Sequence, residues 1–213
     1  MDKYFDNIKN LIDSNGSFIG TPQDKKLSIT EVESLAVSIL GCTLHVHGKE
    51  FIIRMLEIYY GGIGDDAHDW YRTHFIYKKS KYKEWTEVQT KEGFRVYLSS
   101  PDVSDAFTRF DIVVGHEGVP VSFLIRSVWD SDFKIIGAKK GSPNIILNKM
   151  ELKEGDHDKI IGFNNHESDI YIENTSDTVI ESKELTTVKK QRRINVTSQF
   201  EEENKVFWNF SLE

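Results

Sequence analysis

The sequence predicts a single α+β domain, and three stretches carry that expectation. Phe51 to Tyr60 is dense in aliphatic and aromatic residues and closes on Gly61-Gly62, the pattern of a buried strand. Val32, Leu35, Ala36, Ile39 and Leu40 follow helical spacing behind two candidate capping boxes, Ser28 with Glu31 and Thr30 with Glu33. Gly41 is placed to end that helix. Near the other end, Val206, Trp208, Phe210 and Leu212 alternate with Phe207, Asn209 and Ser211, which predicts a half-buried strand. A chain of 213 residues suits one continuous core, and no internal repeat, low-complexity segment or linker divides it.

Composition narrows the class. Hydrophobic content of 38% and aromatic content of 12% fit a globular protein rather than a disordered one. No apolar run approaches the ~20 residues that cross a bilayer, so no membrane partner is expected. The segment Met1-Asp-Lys-Tyr-Phe-Asp has no signal-peptide profile, so a cytoplasmic location is expected. A lone cysteine, Cys42, excludes an intramolecular disulfide and any multi-cysteine zinc site. The formal charge of −7 is unfavourable for a protein that sits on phosphates.

Taken in order, residues 1–26 read as a mixed leader, with a short helical stretch from Asp6 to Ile12 broken by Gly16, Gly20 and Pro22. After the capped helix, Cys42 to Val46 reads as a strand that turns at His47-Gly48-Lys49 into the strand from Phe51. Strict alternation puts Phe51, Ile53, Met55, Glu57 and Tyr59 on one side of that strand. Glu57 then points a carboxylate along an apolar row, which calls for a partner, a raised pKa or a task. A salt bridge to Arg54 or another base is one reading, and chemistry is the other. A basic and aromatic run follows from Tyr77 to Trp85, with Lys78, Lys79, Lys81 and Lys83. Such a run serves either a nucleic-acid surface or a solvated face.

Glu57-Ile-Tyr59-Tyr-Gly, followed by Asp66-Ala-His68, resembles the core of the 3-methyladenine (alkylpurine) DNA glycosylase family, here as a divergent member. Further segments resemble the family in the same order. They are Leu35-Ala36 to Leu40-Gly41, Gly93-Phe94-Arg95-Val96-Tyr97-Leu98, Phe110-Asp111-Ile112, Val121 to Arg126, Gly141 to Met150, Asp169 to Glu173 and Lys189 to Val196. The resemblance implies a curved mixed or antiparallel sheet flanked by helices over residues 27–213. It implies that a flipped nucleotide is held by Tyr59, His68, Tyr97 and Asp111. Glu57 then activates a water for attack at C1′, with Arg126 beside it, and a modified base leaves DNA. Lys78, Lys79, Lys81, Lys83, Arg192 and Arg193 are the candidate DNA contacts.

The chain departs from the family in three ways. Arg95 replaces a tyrosine, and Asp111 stands where asparagine is usual. The loop from Ser99 to Phe110 also lacks the tyrosine that wedges into the minor groove, with Phe107 the nearest ring. The alternative partner is therefore a small nucleotide, or a nucleotide-derived signal, bound without catalysis in the same pocket. No cofactor is expected. Asp65-Asp66-x-His68-Asp69 has carboxylates but no glycine to present them convergently, so no metal is expected either.

Overall fold

The computed structural model describes residues 29–60, 91, 93–99, 108–114, 121–137, 143–175, 187–191 and 209–212. Helix α1, Ile29–Ile39, buries Val32, Leu35, Ala36 and Ile39, the stripe expected from i, i+3, i+4, i+7 spacing. Gly41 follows with φ of +80°, the left-handed position that ends a helix. Its N–H donates to the Ile53 carbonyl at 2.8 Å, and the Ile53 N–H donates back to the Cys42 carbonyl at 3.0 Å, tying the helix exit to the sheet.

Strand β1, Thr43–Val46, turns into β2, Lys49–Tyr60, through His47 and Gly48. Both turn residues have positive φ, +50° and +76°, the tight-hairpin geometry that suits right-handed strand twist. The chain continues through β3 (Arg95–Ser99), β4 (Arg109–Val113), β5 (Val121–Trp129) and β6 (Ile135–Ile136). Helix α2 spans Pro143–Met150, with proline at the first helical position, where its missing N–H costs nothing. It lays Ile146, Leu147 and Met150 against β4 and β5. A 3-10 turn, Glu154–Asp156, then leads to β7 (Gly162–Phe163), β8 (Ile170–Glu173), β9 (Val188–Gln191) and β10 (Asn209–Leu212).

All ten described strands join one curled mixed sheet, ordered β3, β4, β5, β2, β1, β8, β7, with β10 and β9 added beside β2 and β6 beside β5. The β7–β8 pair is parallel and the other pairs are antiparallel. The fold is therefore α+β. Among the described residues no helix is long and apolar enough to cross a membrane.

The expected alternation along β2 fails at Arg54. The β2–β5 pairing shifts register on both sides of Met55. Phe51 and Ile53 enter the main core, and so do Leu56 and Ile58, whereas Met55 does not. Phe51 and Ile53 therefore lie opposite to Glu57 and Tyr59, and not beside them. The irregularity bends the strand, as bulges do, and separates two partners on one edge: β1 pairs Lys49 to Ile52, and β10 pairs Met55 to Glu57. A second correction concerns β10, which is buried on both faces rather than one. Phe210 and Leu212 fill the core, while Asn209 and Ser211 face the other side with Glu57. The expected leader, residues 1–26, lies outside the described residues.

Candidate functional site

The sheet has two faces with different chemistry. One carries Val96, Leu98, Phe110, Ile112, Val121, Phe123, Ile125, Leu56, Ile58 and Phe210 into the core. The other carries a lateral row built by strand register. Asn209 is paired with Glu57, Glu57 with Leu124, Leu124 with Asp111, and Asp111 with Tyr97. Directly paired residues put their side chains on the same face. Five strands thus align an amide, two carboxyls, a leucine and a phenol. At about 4.8 Å per strand, the Asp111 and Glu57 backbones stand about 10 Å apart, with Leu124 as an apolar step between them.

Glu57 is fully buried, and Arg126 is 8% exposed. Arg126 Nη2 donates to Glu57 Oε2 at 2.5 Å, and the Tyr59 hydroxyl donates to the same oxygen at 3.3 Å. Asn209 Nδ2 donates to Glu57 Oε1 at 3.4 Å. Among the described residues the base partnering Glu57 is thus Arg126 from the neighbouring strand. Arg54 instead donates to the Ser127 hydroxyl at 3.4 Å and lies over the Trp129 ring at 5.5 Å. Arg126 is no surface charge at a strand end. It is a permanent cation held on the site face.

Asp111 is 6% exposed, and Ser122 Oγ donates to its Oδ2 at 3.4 Å. Its Oδ1 has no hydrogen-bond partner among the described residues. Burial pushes the Asp111 carboxyl up to about 7. The Arg109 and Arg126 charges and the Ser122 bond oppose that rise, and the Glu57 carboxylate adds to it. Burial likewise raises Tyr97, and the Asp111 charge raises it further against a weaker pull from Arg109. The Tyr97 ring stands 5.5 Å from that of His157, whose Nδ1 accepts the Leu98 N–H at 3.1 Å.

Five residues singled out from the sequence therefore share one face: Glu57, Tyr59, Tyr97, Asp111 and Arg126. His68, Lys78, Lys79, Lys81, Lys83, Phe107, Arg192 and Arg193 lie outside the described residues, as does the candidate metal stretch from Asp65 to Asp69. Among the described residues no group of three or more metal-ligating side chains converges. Sequence reasoning missed Asn209, Ser211 and Ser122. The available signal was parity: Phe210 and Leu212 as core residues force Asn209 and Ser211 onto the opposite face.

Two other polar clusters are internally matched. His45 stacks on Tyr171 at 4.1 Å and its Nε2 lies 2.7 Å from Glu173 Oε1. Buried Asp156 accepts from Lys159 Nζ at 2.8 Å, from the Lys153 N–H at 3.0 Å and from His47 Nε2 at 3.0 Å. Burial alone would raise its pKa, but these donors outweigh it and hold Asp156 below its ordinary value. Both clusters read as structural pins. In comparisons with known proteins, no family model matches the sequence and no curated protein is detectably similar to it.

Proposed function

We propose that the chain is a divergent alkylpurine-glycosylase-like protein that hydrolyses the N-glycosidic bond of a modified base in DNA. One observation carries this reading. The five described residues that the family resemblance selects come from four strands, far apart in sequence, and lie together on one sheet face. Leu124 and Tyr97 supply an apolar and an aromatic surface for a flat ring, and Asp111 supplies a polar edge. Stacking on such surfaces contributes about 1–3 kcal/mol per base.

In the proposed step the water oxygen forms a bond to C1′ and the C1′–N bond breaks, its electron pair leaving on the base. The water proton passes to the Glu57 carboxylate. A base made cationic by alkylation leaves neutral and needs no further proton. Arg126 orients the carboxylate through Oε2, so that Oε1 remains the oxygen nearer β10.

A second reading is favoured by the closure of the same site. Glu57 is fully buried and accepts on both oxygens, and the chain carries a charge of −7. Both features suit a protein that holds a free nucleotide and does not cut DNA. The deciding experiment incubates the protein with duplexes carrying N-alkylated purines and assays abasic sites, beside a free-nucleotide titration. Base release by wild type and none by Glu57→Gln supports hydrolysis. Tight nucleotide binding with no base release, and no DNA affinity even at low salt, selects the binder. The salt series itself discriminates, because duplex binding falls by about 0.9 log unit per log unit of salt for each phosphate neutralised.

A further inference from the structure

Strand β10 brings two sealed polar atoms to the site face. Asn209 is 1% exposed and Ser211 is fully buried. Among the described residues neither Asn209 Oδ1 nor Ser211 Oγ has a hydrogen-bond partner. Two residues apart on an extended strand, they share a face and lie about 7 Å apart along the chain.

The carboxylate of Glu57 dictates how Asn209 is turned. A carboxylate only accepts, so it takes the amide NH2, 3.4 Å from Oε1. Rotating the amide would set Oδ1 against Oε1, two acceptors face to face. Oδ1 is therefore left as an oriented acceptor on the sheet face that Ser211 shares. Buried polar atoms in folded proteins are matched by protein or by ordered water. An occupant here must be small, since both atoms are closed to solvent, and must donate to Oδ1 while meeting a hydroxyl. Water has that chemistry, and buried waters commonly make about three hydrogen bonds.

We propose that Asn209 and Ser211 hold the water on which Glu57 acts. Asn209 is then a positioning residue, orienting the carboxylate through one end of its amide and the water through the other. The inference rests on the hydrolytic reading above. The water donates one hydrogen to Asn209 Oδ1 and directs the other at Glu57 Oε1, while Ser211 donates to one lone pair. The remaining lone pair attacks C1′, the proton passes to Glu57, and the glycosidic electron pair leaves with the base.

The test uses the full chain and Ser211→Ala, which changes one atom and leaves the core face of β10 untouched. If Ser211 anchors a water, its loss lowers the melting temperature, because the buried water loses a hydrogen-bond donor. If the hydroxyl is simply unmatched, its removal raises the melting temperature or leaves it unchanged. Single-turnover base release from an alkylated-purine duplex should slow about tenfold in Ser211→Ala, the size of one hydrogen bond, with duplex affinity unchanged. A high-resolution crystal structure should show one ordered water bonded to both atoms. An unchanged or higher melting temperature overturns the proposal, as does a structure with both atoms bonded to protein groups. If wild type releases no base from any such duplex, the hydrolytic role falls. The melting and crystallographic readouts then decide separately whether β10 holds a water at all.

Discussion

Replacing Arg126 by methionine keeps the bulk of the side chain and removes its charge from the centre of the site. The Glu57 carboxylate is fully buried, and its shortest hydrogen bond among the described residues is the 2.5 Å one from Arg126 Nη2. Among the described residues the bonds that remain, from Tyr59 at 3.3 Å and Asn209 at 3.4 Å, are long and come from neutral donors. Removing one partner of a buried ion pair costs about 3–5 kcal/mol, because the other charge loses its counter-ion in a site closed to solvent. The pair is nearly sealed from solvent, so screening does not reduce that figure. In a chain of this size each kcal/mol lowers Tm by about 2–4 °C, so Arg126→Met should melt about 6–20 °C below wild type. Glu57→Gln should cost less, about 1–2 kcal/mol. Its amide oxygen still accepts from Arg126, and its NH2 finds Asn209 Oδ1 once that amide rotates. The double variant Glu57→Leu, Arg126→Met replaces the pair by apolar groups and should lie within about 1 kcal/mol of wild type, or above it. Equilibrium urea unfolding of the four proteins at constant m reads these differences directly. A cost below about 1 kcal/mol for Arg126→Met alone would refute the argument, since the carboxylate would then have to be hydrated or otherwise matched.

Asp111 predicts a pH dependence of opposite sign to an ordinary salt-bridged acid. Its folded pKa, about 7, lies above its ordinary value of 3.8, so the folded state binds the extra proton between those limits. Stability should therefore fall as pH rises from about 4 to about 7, by up to about 4 kcal/mol, and Asp111→Asn should flatten the profile in urea unfolding; an unchanged profile would mean the carboxyl is solvated. The same substitution should shift base preference in a binding series above about pH 7, where the ionised carboxylate only accepts hydrogen bonds whereas an amide also donates. Gly137→Ala should destabilise by about 1–3 kcal/mol. The glycine sits at φ of +92°, and a Cβ there would stand 2.5 Å from the Arg126 carbonyl oxygen, a backbone atom that cannot step aside. Tyr59→Phe should lose about 0.5–1.5 kcal/mol of stability with its hydroxyl, while Tyr59→Ala should weaken nucleotide affinity by about 1–3 kcal/mol if the ring stacks on a base; affinity unchanged in a folded Tyr59→Ala protein would place the ligand elsewhere.

Much of the scaffold was legible because its determinants are local. The stripe from Val32 to Leu40, the glycine at 41 and the apolar density of 51–60 are each decided within a few residues of chain, and each element formed where its pattern lies. The hairpin at His47-Gly48 is likewise a property of two residues that accept positive φ. Periodicity by itself singled out Glu57, while Tyr59, Tyr97, Asp111 and Arg126 were selected by the family resemblance. Neither determined what they touch.

That was decided by pairing between distant strands. Alternation failed along β2 because the register shifts around Met55 involve β5, some seventy residues away, and a strand's own pattern carries no record of its partner's slip. Arg54 and Arg126 are both arginines near Glu57 in one sense or another, yet only the register brings Arg126 to Oε2. The same holds for β10. Its alternation was visible, but a second buried face requires the site side of the sheet to be covered, and coverage is a property of the whole fold. Local propensity therefore settled which elements form. Long-range register settled which side chains meet, and through burial it settled the chemistry of Asp111 and Tyr97, whose raised pKa values depend on lost solvent rather than on any neighbour in sequence.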